Sequence, residues 1–572
     1  MNKLHKRSIF LVLAVITFAA VFHYIYFADT QGKYKIPEQK YSKNVVLIPL
    51  DGRPPCRKFV IDAGRLADIK IETPPQQIMD YYTKAGNTKA LCDWLKENAS
   101  FSNGIIVSAD QLLYGGLLAS RRSFGKNTDQ QFLWYTLDTV HQENPSLPVY
   151  VFSILPRITP PNSVDSADDI KNLIKYSRLT DKIIFSHNKK DINELDKLQR
   201  KISKKYLAQY VDLYNKNLLL NKRLVDLAKQ GIITKLVIGQ DDGEKYGIPN
   251  IERRKLKTYI KQTGTENNVI ITHGADEVAM SLLFNMAETI RRENYHPRIF
   301  AAYNAPQSED IILPYMAADV KKIVEEKVSL AGGTIVTSPE NADFILYLHI
   351  GTKKNLSTRY FDAMRIKKWL SEGKKVALVD LSKNFRADET VFPILLSNDV
   401  PVNQLIAYSG WNTASNSIGT AVAQAGLYTM MGKYALNDND KLRLIYDNLT
   451  ILYDHFVEDY FYLKGTLYAV NTVLRKAGIN NVNDLDMDNS YLWANYMLEK
   501  SLQRQIDKFA YCEASREPIK FKTAYGIKNI YLRNIKIKAF FPWPRTFEIN
   551  TDVKFTMDSG QSRNIMHNSK DD

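Results

Sequence analysis

Short, continuous apolar runs separated by stretches of helical pattern constrain this chain more than any other feature. The runs are Asn44–Leu50, Gly104–Ser108, Val149–Leu155, Lys235–Ile238, Val269–Thr272, Arg298–Tyr303, Phe344–Ile350, Val376–Leu381 and Leu405–Tyr408. None alternates polar with apolar, as a strand with one wet face would; each reads as a strand covered on both sides. Helical pattern fills most of the gaps, for example Thr88–Asn98, Ile192–Lys229 and Glu277–Glu293. Strand–helix alternation predicts an α/β fold with mostly parallel strands, either barrel-like or doubly wound; the number of strands leans slightly toward a barrel. Residues 421–515 are mostly helical, with Tyr, Leu and Trp at core spacing, and residues 516–560 turn short and alternating, as a small β-rich end piece would. The α/β part therefore spans 44–420. Residues 561–572 read as a loose polar tail, and no internal repeat is visible.

The amino terminus sets the expected compartment. Lys3, His5, Lys6 and Arg7 precede an apolar run from Ile9 to about Ala28 that ends in Tyr24, Tyr26 and Phe27. A positive flank, about 20 apolar residues and interfacial aromatics describe a single-pass signal anchor over 1–29, with a cleaved signal peptide as the alternative. Either places the bulk of the chain outside the cytoplasm, joined through a polar tether over 30–43. The net charge is +15; three basic residues and one acidic residue lie in the first 30, which leaves +13 for the rest. The basic residues are scattered, which suits an anionic envelope polymer and argues against nucleic-acid readout. Three cysteines without a CxxC pair exclude a disulfide scaffold and a cysteine-rich zinc site.

The candidate chemistry follows the strands. Asp51 and Arg53 come after the first run, Asp110, Tyr114 and Arg121 after the second, and Asp241 and Asp242 after KLVIGQ. His273, Asp276 and Glu277 follow VIIT; Asp380 with Asn384 and Asp388 ends VALVDL; Trp411, Asn412, Thr413 and Asn416 follow LIAY. Ligands of parallel α/β folds bind at the carboxyl ends of strands, so these six ends are expected to converge on one pocket. The competing account is that each polar residue merely caps the next helix. Glycines beside nearly all of them favour the pocket, because capping does not need them and close backbone approach does.

Asp241–Asp242 is the expected catalytic pair. Two close carboxylates repel, which raises the pKa of at least one and leaves an acid beside an ionised partner. Adjacent acids of this kind serve glycosidases in which one residue orients the substrate's acetamido group and the other protonates the leaving oxygen. Asp51, Arg53, Asp110, Tyr114, Arg121, Asp276, Glu277, Trp411, Asn412, Thr413 and Asn416 would then bind substrate, with Trp411 as a stacking wall. No cofactor is needed. The alternative is a divalent metal held by Asp51, Asp110 and His273, although HExxH and HxH are both absent. Walker, GxGxxG and GxSxG patterns are absent as well, which disfavours nucleotide binding and serine-hydrolase chemistry.

Several of these stretches resemble a bacterial family known as domain of unknown function 4127. They are LIPLDGRP (47–54), SADQLLYGGLLASR (108–121), GQDDGEKYG (239–247), GADEV (274–278), YSGWNTASNSIGTAVA (408–423) and FPWPRTFEI (541–549). The likeness spans about residues 44 to 550. It departs where Gly52 stands in place of a second acidic residue, and it is loose over LSKNFRADETV. The resemblance implies a shared site and carries no activity. Together the features predict an exported, membrane-anchored hydrolase, a glycosidase acting on an envelope or surface glycan. A metal-dependent hydrolase using the same carboxylates and a non-catalytic glycan-binding envelope protein are the alternatives.

Overall fold

The computed structural model describes residue 17 and residues 32–121, 127–161, 164–292, 294–352, 356–410, 412–523 and 526–560. The expected anchor over 1–29, apart from Thr17, lies outside the described residues, as do Trp411 and the 561–572 tail. Among the described residues, no helix is long and apolar enough to cross a membrane.

The apolar runs become strands, and the strands form two open parallel sheets. The first contains β1 (Lys43–Ile48), β2 (Ile69–Glu72), β3 (Ile105–Ser108), β4 (Val149–Leu155), β5 (Lys235–Gln240) and β6 (Val269–His273), ordered β2-β1-β3-β4-β5-β6. The second contains β7 (Arg298–Tyr303), β8 (Thr334–Ile335), β9 (Phe344–Gly351), β10 (Val376–Ser382) and β11 (Ala407–Ser409), ordered β11-β10-β9-β7-β8. All pairings within both sheets are parallel. Of the two arrangements open from the sequence, the doubly wound one is present and the barrel is not, because each sheet ends in edge strands. The second sheet, read from β8, repeats the 2-1-3-4-5 order of the first. The sequence carries no trace of this repeat, since a topology needs only the apolar pattern to recur and not the residues.

Neighbouring residues on a strand point to opposite faces, so each sheet sorts its side chains into two cores. Val46, Ile48, Val107, Val151 and Ile238 face an outer helix layer that includes Thr88–Ala99 and Lys204–Lys229. Val45, Leu47, Ile106, Phe152 and Val237 face inward, into the same core as Ile299, Leu346, Leu348, Ala377 and Val379 of the second sheet. Helices Val278–Arg291 and Ala414–Gly432 lie in this shared core. Every residue from Val278 to Ala287 is buried, as is every residue from Ala414 to Leu427. Helices apolar on all sides are what a layer sandwiched between two sheets requires.

The outer face of the second sheet carries the carboxy-terminal helices and a three-stranded antiparallel sheet: β12 (Ile519–Thr523), β13 (Gly526–Phe540) and β14 (Asn550–Asp558). Buried and exposed residues alternate along β13 and β14, as a sheet with one solvated face demands. The expected single helix over Ile192–Lys229 is two, Lys189–Lys201 and Lys204–Lys229, broken at Ile202, which is extended.

Candidate active site

The order of the first sheet reverses between β1 and β3, and the crevice outside such a reversal is where open α/β sheets bind ligands. Asp51 and Arg53 follow β1 there. Asp51 is buried, and its Oδ2 accepts from Arg53 Nε at 2.9 Å and Nη2 at 2.7 Å. The same guanidinium reaches 223 residues along the chain to Asp276, past the end of β6, with Nη2 to Oδ1 at 2.8 Å and Nη1 to Oδ2 at 3.3 Å. Arg53 thus ties two strand ends together, with two N–H groups converging on one Asp51 oxygen and a bidentate pair on Asp276.

Asp110 lies in the first turn of helix Ala109–Tyr114, which starts directly from β3 with Ser108 as its cap. Its Oδ2 accepts from the Ile154 N–H at 2.9 Å. Burial pushes this carboxyl up to about 7, against the pull of that hydrogen bond. Gly115, with φ of 75°, ends the helix; a Cβ there would stand 2.6 Å from Gly86 N. That turn leads into Leu117–Ser120 and brings Arg121 onto Asp241, with which it forms an ion pair.

Asp241 and Asp242 leave the end of β5, where Gly239 would place a Cβ 2.4 Å from the Gly274 carbonyl. Their environments divide them. Burial works to raise Asp241, but the Arg121 charge, the Asp242 backbone N–H and the Arg157 charge outweigh it and hold the carboxyl below its ordinary range. Burial pushes Asp242 up to about 7; the Asp241 charge adds to this, while Arg121 and Arg157 oppose it. A proton therefore sits on one member of the pair near neutral pH while the other stays ionised.

Three small concavities, of about 10, 10 and 50 Å³, lie side by side as a trough, with Asp241 lining the first and second and Asn416 the second and third. Tyr114, Ser120, Arg121 and Asp241 line the first; Asp241, Asp242, Gly274, Thr413 and Asn416 line the second. Arg53, Asp276, Asn412, Asn416, Glu458 and Glu548 are among those lining the third. Asn412 Oδ1 accepts from Thr413 N at 2.7 Å, and Asn416 Oδ1 accepts from Ala275 N at 3.0 Å, binding the start of helix Ala414–Gly432 to the β6 turn. That helix begins directly after Thr413, which caps it without a side-chain bond. A larger groove of about 900 Å³, with Arg65, Asp68 and Arg443 in its lining, shares no residue with the trough.

Not every expected residue works as expected. Glu277 reaches the third concavity, but its carboxylate forms a fully buried ion pair with Lys327. His273 has both ring nitrogens engaged: Nδ1 with Glu326 Oε2 at 2.7 Å, and Nε2 with Arg253 Nη1 at 2.6 Å. Burial is the main force lowering its pKa, so the ring is a neutral link in a structural chain. Asp51, Asp110 and His273 do not assemble as ligands, and no group of three metal-binding side chains forms among the described residues. Asp380 at the end of β10 also turns away from the trough, accepting from the backbone N–H groups of Val391 and Phe392 at 2.9 and 3.0 Å.

Other participants escaped the sequence. Arg157 follows β4 and acts on both Asp241 and Asp242; the strand-end rule applied to SILPR would have found it. Asp80 is buried near Asp51, and burial together with the Asp51 charge pushes it up to about 8. His455, Glu458 and Asp459 line the third concavity from a continuous helix that widens into a π-helix over Phe456–Thr466. Such widenings recur at functional sites. The available signal was four ionisable residues, Asp454, His455, Glu458 and Asp459, at i, i+4 spacing inside an apolar run.

Fold and site together define a protein of two tandem doubly wound α/β sheets with a carboxylate-rich trough at the first reversal point. The family model for the protein of unknown function DUF4127 matches residues 45–552, and the chain belongs to that family. No curated protein matches it.

Proposed function

We propose that this protein is a hydrolase that cleaves a glycan by carboxylate general acid/base chemistry, with Asp242 as the acid and Asp241 as its ionised partner. The observation that carries the reading is the split protonation of two adjacent carboxyls in one trough: Asp242 is raised to about 7, and Asp241 is kept charged by Arg121. Asp242 donates its proton to the leaving oxygen as the glycosidic C–O bond breaks. Asp241 orients the group that attacks the anomeric carbon, either a water or the substrate's own acetamido group. Tyr114 and Arg121 flank the pair on one side, and Asn412, Thr413 and Asn416 on the other. The basic charge and the apolar run Ile9–Ala28 support an anionic or polysaccharide envelope substrate and a membrane-tethered location outside the cytoplasm. The metal-dependent alternative loses its support with the engagement of both His273 nitrogens.

The test is turnover of a panel of chromogenic glycosides and isolated envelope glycans. The parent should cleave at least one, with kcat falling as pH rises through about 7, where Asp242 gives up its proton. Asp242→Asn should lose 100-fold or more of kcat, on the order of one general acid's contribution. Equal turnover by Asp242→Asn, or none by the parent on any glycan, refutes the assignment.

A further inference from the structure

The third concavity gathers five carboxyl groups at close quarters. Asp276, Glu277, Glu458, Asp459 and Glu548 line it. The cations near it are already committed: Arg53 to Asp51 and Asp276, Lys327 to Glu277, Arg545 to Glu548, and Lys58 to Asp62 and Asp454. Glu458 has no ion pair of its own among the described residues. It is only 6% exposed, and its buried Oε2 accepts no hydrogen bond. Burial, and then the Asp459 charge, push the Glu458 carboxyl well above the ordinary carboxylate range, and a bound cation would offset both the repulsion and the missing hydrogen bond.

A second orphan stands three residues away. His455 is 2% exposed; its Nδ1 lies 3.1 Å from Asp459 Oδ2, and its buried Nε2 has no partner among the described residues. Asp459 Oδ2 also accepts from Gly410 N at 2.7 Å, so that carboxylate is fixed. In the neutral ring, with Nδ1–H donating to Asp459, Nε2 is an acceptor. Phe59, 4.5 Å from the His455 ring centroid, closes one side. The empty positions therefore ask for one small group that is positively charged and carries several N–H donors. An ammonium meets this; a hydroxyl offers one donor, and an anion is repelled.

We propose that this concavity binds a protonated primary amine of the ligand, with Glu458 as its counter-ion and His455 Nε2 as a second acceptor. The choice of ligand, a glycan containing unacetylated amino sugar, rests on the function proposed above; the ammonium itself follows from the cavity. The acid pair Asp241–Asp242 and the ammonium site belong to neighbouring concavities, with Asn416 in the lining of both.

Isothermal titration of the full chain with a glucosamine tetramer and its fully N-acetylated counterpart tests the proposal. The expected result is at least tenfold tighter binding of the free-amine tetramer by the parent, with that preference reduced to less than twofold in Glu458→Gln. Asp242→Asn, titrated in parallel, should keep the preference while cleaving neither tetramer. Equal affinity for both tetramers, no binding of either, or a preference that survives Glu458→Gln overturns the ammonium site. Stoichiometric binding of calcium alone that is lost in Glu458→Gln also overturns it, by assigning the carboxylates to a metal. A Glu458-dependent preference in a parent that cleaves no glycan would support the site and refute the hydrolase reading alone.

Discussion

Replacing Asp110 by asparagine should stabilise the protein in alkaline solution and do little in acid. The carboxyl is fully buried, and its pKa stands at about 7 in the folded chain against 3.8 for the free side chain. Below pH 4 both states hold the proton and the residue costs nothing. Between 4 and 7 only the folded state holds it, so stability falls by about 1.4 kcal/mol per pH unit. Above 7 both states are ionised and the full cost, about 4 kcal/mol, is in place. The stability that protonated Asp110 contributes is thus lost as pH rises through its folded pKa. Asparagine removes the titration yet keeps an oxygen to accept from Ile154 N–H, the bond that fixes the side chain at 2.9 Å. The variant-minus-parent difference in unfolding free energy should therefore grow by about 3 kcal/mol between pH 5 and pH 8.5. Urea unfolding of both proteins across that range measures it directly, since other titrating groups, Asp80 and Asp242 included, cancel in the difference. A difference that stays flat with pH, or a variant less stable than the parent at pH 8.5, refutes the reasoning.

Three further perturbations have defined outcomes. Lys327→Met strands the buried Glu277 carboxylate and should cost about 3–5 kcal/mol in chemical denaturation, part of which the double variant with Glu277→Gln should restore. Gly351→Ala would put a Cβ 1.7 Å from the Glu389 carbonyl oxygen, a backbone atom with no room to yield; a loss of 3 kcal/mol or more, about the top of the range for overpacking, should appear as a lowered unfolding midpoint or as failure to recover folded protein. Arg121→Gln removes the cation that holds Asp241 ionised, so the acidic limb of the pH–kcat/KM profile should move up by about 1–3 pH units on any glycan the parent cleaves.

Most strands were legible because burial on both faces leaves an uninterrupted apolar run, as in VYVFSIL at β4. Two strands were not. Edge strand β2 is IKIE, half charged and only four residues long, and β8 has two residues. Strand ends pointed to Arg121, Asp241, Asp276 and Asn416 in the trough, because polar residues at the carboxyl edge have a local reason to be there, but the same rule also named Asp51 and Asp110, which do not line it. What the sequence cannot express is pairing across the chain. Nothing near Arg53 announces Asp276, and nothing near His273 announces that Glu326 and Arg253 will occupy both its nitrogens. Glu458 and His455 were hidden differently: their aromatic neighbours describe a core helix correctly, and the few ionisable residues within it register only against a known cavity.

The helix layer shared by the two sheets bears on how the chain is made. Synthesis runs from the amino terminus, and domains ordinarily close as soon as their last residue emerges. Here the inner face of the first sheet, with Val45, Ile106 and Phe152, belongs to a core completed by Ala414–Gly432, some 140 residues beyond β6. Gly426 lets that late helix press against Phe284, where a Cβ would stand 3.0 Å from the ring. By residue 300 the first sheet has helices Lys58–Leu66 and Val278–Arg291 on its inner face, but the buried far side of Val278–Arg291 must wait uncovered until the second half is nearly complete. A nascent chain stopped near residue 300 should present a sticky, protease-sensitive helix face, a ready client for chaperones rather than a finished domain.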